Sequence, residues 1–117
     1  MNGDLFQEIQ EKIKQLETSV KTLRISGREY AQAERDYKIL LRQKCLELRT
    51  EGMAIGMIQM TAYGIPDVAE ARFKRDIAET VYKANQEAIN SIKLQLRIIE
   101  SQLEREWGIT NYAESKN

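Results

Sequence analysis

The stretch that decides the fold is 51-EGMAIGMIQMTAYGIPDVAE-70, which interrupts an otherwise charged and helical sequence. It contains three of the six glycines, three of the four methionines and the only proline in a chain of 117 residues. Glycine and proline commonly end helices, whereas the sequences on both sides carry apolar residues at helical spacing. The stretch is therefore predicted to connect two helical arms, which a short connection forces to lie antiparallel.

The composition restricts the kind of protein this can be. Eighteen Lys and Arg residues balance eighteen Asp and Glu residues, and histidine is absent. Because the net charge is zero, no general positive field attracts nucleic acid, and direct DNA binding is disfavoured. The lack of histidine removes the commonest catalytic base and metal ligand. No apolar run is long enough to span a bilayer, so we expect no membrane association and a location in the cytoplasm.

The sequence before the interruption predicts two helices. The first, at 4–25, has apolar residues that alternate at spacings of three and four, as in a coiled coil. This seam, which needs a partner helix, consists of Phe6, Ile9, Ile13, Leu16, Val20 and Leu23. Ser26 and Glu29 form a capping box and Gly27 can end a helix, so a joint is expected near residue 26, before a first arm at 27–51. The alternative is one unbroken helix that tolerates Gly27 at a cost of about 1 kcal/mol.

The connection at 52–65 and the second arm at 66–107 follow. A short helix at 53–63 would present Met53, Met57 and Met60 along one side. The second arm has no glycine or proline after Pro66 until Gly108, which is predicted to end it before a flexible tail at 108–117, where Tyr112 could dock. The inward positions of this arm are predicted to be Phe73, Ile77, Val81, Ala84, Ala88, Ile89, Ile92, Leu96, Ile99 and Leu103.

These elements predict a single all-α domain at 1–117: a long antiparallel helical hairpin, coiled-coil-like, with an extra N-terminal helix. Leu94 and Ile98 lie on a further face of the second arm, and the N-terminal seam also needs covering. We therefore expect a homo-oligomeric bundle, with the seam of Phe6 to Leu23 as its interface. Cys45 lies on the apolar stripe of the first arm and is interpreted as a small buried hydrophobe.

Basic and aromatic residues cluster around the interruption. Arginine forks bind phosphate and tyrosine rings stack on bases, so the cluster suits a nucleotide. Its candidate ligand-binding residues are Arg42, Arg49, Tyr63, Arg72, Lys74 and Arg75. The alternative is a solvated face of alternating charge. The three methionines also have two interpretations, because flexible thioethers can either contact a protein partner or fill the open end of a hairpin.

Acidic pairs on the second arm raise the question of a metal site. Asp67 with Glu70, and Asp76 with Glu79, have helical spacing and could hold a divalent ion. Each acid also has a basic neighbour within helical reach, as Glu79 has Lys83, and ordinary surface pairing is the preferred interpretation. We predict no metal, no cofactor and no catalytic residue.

Three segments carry a resemblance to a known group of proteins. They are YKILLRQKCLELRTEG at 37–52, VAEARFKRDIAETVYKANQEAIN at 68–90 and KLQLRIIESQLEREWG at 93–108. Their helical pattern resembles small accessory proteins encoded by siphophages and prophages of Gram-positive bacteria. The likeness covers both arms and leaves the first 29 residues unmatched. It implies a short phage protein that acts in the cytoplasm of the bacterial host, and it assigns no site residues.

Two classes of function fit this context. One is a non-enzymatic anti-defence factor that sequesters a nucleotide immune messenger or blocks a host defence protein. The other is an accessory protein of phage DNA replication or recombination, and a purely structural coiled-coil assembly module is a third alternative. The zero net charge disfavours bulk DNA binding and places the anti-defence function first.

Overall fold

The computed structural model describes the backbone of residues 2–116 and the side chains of residues 3–108. It confirms the all-α class: the described backbone has three helices, α1 (Asn2–Thr50), α2 (Ile55–Tyr63) and α3 (Pro66–Lys116), and no strand. The chain divides into two compact units. Unit 1 combines Met1–Leu23 with Asn85–Asn117, and unit 2 is Arg24–Ala84.

The predicted joint near residue 26, and with it the separate N-terminal helix, is wrong. α1 runs unbroken from Asn2 to Thr50, and Ser26 is a buried residue of its interior rather than a cap. Gly27 has a different role from ending a helix. A Cβ atom at this position would lie 3.0 Å from Cε1 of Tyr82 on α3, so the glycine allows the Tyr82 ring to pack against the α1 backbone.

Unit 2 is an antiparallel hairpin. Gly27 on α1 lies against Tyr82 on α3, and Glu34, further along α1, contacts Arg75, which is earlier on α3. The short helix α2 connects these two arms. Unit 2 has a small apolar core, whose buried side chains are Tyr37, Ile58, Ala62 and Val68.

The interruption forms two defined helix ends. Gly52 has a positive φ of 91°, and α1 ends in a Schellman motif, in which Met53 N–H donates to the Leu48 carbonyl at 3.1 Å and Gly52 N–H to the Arg49 carbonyl at 3.0 Å. Pro66 is the first residue of α3, where its missing N–H leaves no hydrogen bond unmade. The chain therefore reverses between positions where the residue types themselves terminate and restart the helix.

Unit 1 pairs the beginning of α1 with the later part of α3. Ile89 and Ile99 are buried there, and Ile92, Leu96 and Leu103 are half-buried, as the predicted inward positions require. The residues of the predicted N-terminal seam differ in their burial. Its half-buried members are Ile9, Leu16, Val20 and Leu23, whereas Phe6 and Ile13 are 58% and 43% exposed. Four of the six residues proposed for oligomer contact are thus already partly covered within the chain.

In the first half of α3, the predicted inward face is wrong. Phe73, Ile77 and Val81 are 59%, 48% and 44% exposed, and the alanines predicted to accompany them are exposed as well, Ala84 in unit 2 and Ala88 in unit 1. The residues that turn inward in unit 2 follow the same three-four rhythm in another register. They are Val68, Ala71, Arg75, Ala78 and Tyr82. The spacing of apolar residues predicted the wrong inward face because the face that is buried contains an arginine and a tyrosine.

Gly108 does not end the second arm as predicted. α3 continues to Lys116, so the backbone of the predicted flexible tail at 108–117 is helical as far as it is described. A single glycine inside a helix costs only about 1 kcal/mol, which neighbouring turns can offset. The predicted docking of Tyr112 lies outside the described side chains.

Candidate functional site

Arg75 lies at the centre of a polar contact between α1 and α3 in unit 2. Its Nη1 donates a hydrogen bond to Oε2 of Glu34 at 3.2 Å, and its Nε donates to Oδ1 of Asp76 at 2.8 Å. The guanidinium carbon stands 4.7 Å from the centroid of the Tyr37 ring, and only 19% of the side chain is exposed. Arg75 therefore has three partners in its own chain, which account for its position without a ligand.

The electrostatics of this contact keep both partners charged. Burial alone would raise the pKa of Glu34, but hydrogen bonds from Arg75 and Lys38 outweigh it, and the pKa lies below its usual value. Burial also works against the charged form of Arg75, yet its hydrogen bonds to Asp76 and Glu34 raise its pKa. The charges of Arg75 and Glu34 thus stabilise each other, so the pair is a structural contact between the two arms.

Two tyrosines extend the same contact toward Gly27. The rings of Tyr30 and Tyr82 lie with their centroids 5.9 Å apart and their planes tilted by 36°. Burial raises the pKa of Tyr30, and the nearby carboxylates of Glu79 and Glu34 raise it further. The tyrosine hydroxyl therefore remains protonated, and the rings contribute packing rather than an ionisable group.

Arg72 and Tyr63 form a separate contact between α3 and α2. The guanidinium carbon of Arg72 lies 5.1 Å from the centroid of the Tyr63 ring, while the Tyr63 hydroxyl accepts a hydrogen bond from Nε2 of Gln59 at 2.7 Å. A cation over an aromatic face at this distance is worth about 0.5–1 kcal/mol when exposed. The ring that the sequence offered as a platform for a base is thus occupied by an arginine of the same chain.

Lys74 lies in a groove between α1 and α3, which we call the acidic groove. Its volume is about 460 Å³, and it is lined by Glu29, Gln32, Ala33, Asp36, Leu40, Asp67, Glu70, Ala71 and Lys74. Four carboxylates face one ammonium group there, so the net charge repels phosphate. Lys74 is therefore poorly placed to bind a nucleotide.

Arg42 and Arg49 line a second groove, between α1 and α2, which we call the arginine groove. Its volume is about 300 Å³, and the lining residues are Arg42, Cys45, Leu46, Arg49, Ile55, Ile58 and Gln59. Within the part of the chain that the structure describes, neither arginine forms an ion pair. Cys45, predicted to be buried, is only half-buried and contributes to this lining. The groove thus combines an apolar floor with two uncompensated cations.

Exposed apolar side chains occur in the arginine groove and elsewhere on α2. Ile55 and Leu46, which line the groove, are 78% and 53% exposed, and Met57 and Met60, which do not line it, are 57% and 77% exposed. Met53, by contrast, is half-buried. The interpretation of the methionines as a filling of the open hairpin end is therefore wrong for Met57 and Met60, since Ile58 and Ala62 occupy the buried side of α2.

The six candidate ligand residues thus occupy four different places. Arg75 belongs to the contact between the arms, Arg72 and Tyr63 pair with each other, Lys74 lies in the acidic groove, and only Arg42 and Arg49 share a groove. Sequence reasoning missed Glu34 as the partner of Arg75, although its spacing to Lys38 already marks it as a paired acid. It also missed Ile55 and Ile58, whose signal is that they belong to a short helix without any charged residue.

One of the two acidic pairs of α3 makes ordinary surface contacts. Glu79 pairs with Lys83 at 2.7 Å, as the spacing predicts, and this hydrogen bond lowers the pKa of Glu79, while Asp76 pairs with the adjacent Arg75. Asp67 and Glu70 form no ion pair among the described residues. No group of acidic or sulfur side chains with metal-binding geometry occurs among the described residues.

Comparison of the chain with models of known protein families, with curated proteins and with solved structures finds no match. In the described part of the chain, no helix combines the length and the apolar character needed to cross a membrane. The features that bear on function are therefore the arginine groove and the exposed side chains of α2.

Proposed function

We propose that this protein acts by binding: the arginine groove and the exposed side of α2 receive an amphipathic, acidic helix of a protein partner. In the phage context implied by the resemblance of the sequence, the partner would be a bacterial host protein, and binding would block it. The single observation that carries the proposal is the combination of uncharged, exposed α2 with two unpaired arginines beside it.

The apolar part of this surface supports a protein ligand. α2 has no charged residue, and Ile55, Met57 and Met60 project from it with more than half of each side chain exposed. Ile55 also lines the arginine groove, whereas the methionines lie on another side of the helix. Exposed apolar residues grouped on one short helix are typical of interaction sites. Methionine is well suited to such a site, because its unbranched, polarisable side chain adapts to the shape of a partner.

The charged part of the surface specifies the partner's chemistry. Arg42 and Arg49 are seven residues apart on α1, so their Cα atoms are separated by two helical turns, about 10 Å. A partner helix that places an apolar stripe on α2 and carboxylates about two turns apart would match both features. Helix-in-groove recognition of this kind uses apolar anchors for affinity and flanking charges for orientation.

A nucleotide messenger fits the same residues less well. Tyr63, the nearest platform proposed for a base, is covered by Arg72. Lys74 lies in the acidic groove with four carboxylates, and Arg75 donates a hydrogen bond to Glu34. A function with DNA has no supporting observation of this kind, because the chain has no net positive charge. The protein partner therefore has priority.

The test is a displayed library of helical peptides, selected on the wild-type protein and counter-selected on the variant Arg42→Glu/Arg49→Glu. We expect enriched peptides to carry an apolar stripe with Asp or Glu about two turns apart. The single cysteine, Cys45, reports on the groove directly, since a bound peptide should slow its alkylation by iodoacetamide. Charge reversal should weaken binding by about tenfold, because two exposed ion pairs are each worth up to about 1 kcal/mol.

Arg35→Glu is the matched control, because Arg35 precedes Arg42 by seven residues on the same helix and does not line the groove. Enriched peptides should bind this variant as they bind the wild type. An empty selection, or peptides that leave the alkylation of Cys45 unchanged, would refute the proposal. Protection of Cys45 by cyclic or ADP-ribose-type nucleotides instead of peptides would establish the messenger function in its place.

A further inference from the structure

The exposed apolar residues of α3 in unit 2 form a surface distinct from the arginine groove. Phe73, Ile77, Val81 and Ala84, which we call the outer stripe, follow one another at spacings of four, four and three residues. At about 100° per residue, the four side chains fall within an arc of about 80° on one side of the helix. They lie away from the inward face of Arg75 and Tyr82, and none of them lines a groove of unit 2.

We propose that the outer stripe binds a second copy of this chain, with the two α3 helices antiparallel. The sizes of the side chains are complementary in this orientation. A two-fold axis at residue 79 places Ile77 opposite Val81 of the second copy and brings Phe73 within one residue of the position opposite Ala84. A large residue thus meets a small one at the ends of the stripe, which allows the helices to approach closely.

Charge is favourable in the same orientation. Asp76 and Lys83 lie on one flank of the stripe, seven residues apart, and although they pair with Arg75 and Glu79 of the same chain, their side chains remain 55% and 68% exposed. In the antiparallel pair, Asp76 of each copy lies on the same side of the interface as Lys83 of the other, which gives two attractive contacts related by the axis. A parallel pair would instead place Phe73 opposite Phe73 and Ala84 opposite Ala84, which loses the match of large and small residues.

The size of the stripe sets the expected strength of the dimer. Four side chains over three helical turns bury less than the roughly 1,200–2,000 Å² that stable complexes use, so a reversible association is expected rather than a permanent one. This interface differs from the N-terminal seam predicted from the sequence, of which Ile9, Leu16, Val20 and Leu23 are half-buried within unit 1. The outer stripe and the arginine groove share no residue, so either can fail without the other.

Sedimentation velocity over a wide concentration range tests the proposal. We expect the wild type to convert from monomer to dimer as its concentration rises. Ile77→Asp should weaken the dimer by about tenfold or more, because it places an unpaired carboxylate in the centre of the interface. Its helical content and melting temperature at low concentration should not change. Ile39→Asp is the matched control, since Ile39 is a 52% exposed isoleucine on α1 of the same unit and should leave dimerisation intact.

The orientation is tested by exchanging the flanking charges. Asp76→Lys and Lys83→Asp should each weaken the dimer, and the double variant Asp76→Lys/Lys83→Asp should restore it, because the two contacts are then reversed together. Because Asp76 also pairs with Arg75 and Lys83 with Glu79 in the same chain, the melting temperature of each variant at low concentration is the control for folding. A wild type that remains monomeric at all concentrations would overturn the proposal, as would equal effects of Ile77→Asp and Ile39→Asp. A dimer that the double exchange does not restore would overturn the antiparallel arrangement. The variant Arg42→Glu/Arg49→Glu should dimerise normally, which separates this result from the binding function.

Discussion

The two units join α1 and α3 through different kinds of contact. In unit 1 the later part of α3 turns a run of aliphatic residues inward, of which Ile89 and Ile99 are 6% and 8% exposed. In unit 2 the inward positions include Gly27, Tyr30, Glu34, Arg75 and Tyr82, and they meet through ring contacts, ion pairs and one close backbone approach. Apolar burial is non-directional, whereas the contacts of unit 2 depend on which groups face each other.

This difference explains where surface remains for partners. Because the inward face of α3 in unit 2 includes Arg75 and Tyr82 as well as Val68 and two alanines, the apolar residues of the outer stripe lie on the exposed side of the helix. Arg75 is paired with carboxylates of its own chain. Arg42 and Arg49, by contrast, line a groove and have no carboxylate partner among the described residues. The choice of residues that pair inside unit 2 therefore also determines which residues remain exposed for a partner.

The largest effect is expected in the aliphatic contact of unit 1. Ile99→Ala should lower the free energy of unfolding by about 2–4 kcal/mol, because it removes buried methyl groups and leaves a cavity. Ile98→Ala is the matched control: the adjacent isoleucine is 50% exposed, and its loss should cost less than about 1 kcal/mol. Urea denaturation of both variants measures the difference. Equal losses would mean that α3 does not bury the face described for it in unit 1.

A somewhat smaller effect should follow from crowding the close approach in unit 2. Gly27→Val should destabilise the protein by about 1–3 kcal/mol, because the added methyl groups meet the Tyr82 ring, which already lies 3.0 Å from the position of a Cβ atom. Thermal unfolding measures the loss. In a Tyr82→Ala background the same change should be neutral or slightly stabilising, since the obstacle is gone and glycine is a poor helix former. The same loss in both backgrounds would contradict the proposed reason for Gly27.

The smallest effect concerns pH and the ion pair of unit 2. Because the pKa of Glu34 is lower in the folded protein than its usual value, its contribution to stability is present at neutral pH and is lost as the pH falls below about 4.5. Glu34→Gln removes this contribution at pH 7, so the difference in the free energy of unfolding between wild type and variant should be present at pH 7 and should shrink as the pH falls below about 4.5. Urea denaturation at a series of pH values from 7 downward is the measurement. A constant difference across this range would show that the carboxylate charge is not responsible.

Much of the fold was predictable from local sequence signals. The glycines and the proline around 51–70 predicted where the helices end and restart, and the aliphatic rhythm from Ile89 to Leu103 predicted the face that unit 1 buries. The prediction of a joint at residue 26 was wrong because a glycine can mark a place where another side chain packs against the helix backbone, as well as a helix end. The prediction of the buried face of α3 between Phe73 and Ala84 was wrong because hydrophobic periodicity assumes that apolar residues face inward.

The candidate site was predictable only in part. The sequence placed basic residues near the interruption, but it could not show that Arg75 is paired with Glu34, which lies 41 residues away along the chain. Nor could it show that Arg72 covers Tyr63. Among the six candidates, the distinction between a structural cation and an available one depends on the opposing helix, and spacing along one helix does not contain that information.

The sequence by itself determined that this chain is helical, that it reverses near Gly52 and Pro66, and that an aliphatic seam runs along the later part of α3. These properties follow from backbone preferences and from a periodicity that each segment carries alone. Tertiary structure alone decided that Gly27 admits a ring, that Arg75 turns inward while Phe73, Ile77 and Val81 stay outside, and that Arg42 and Arg49 share a groove with α2. The reason is that the cost of burying a polar group, or of leaving an apolar one exposed, is set by the groups that face it across the helix pair.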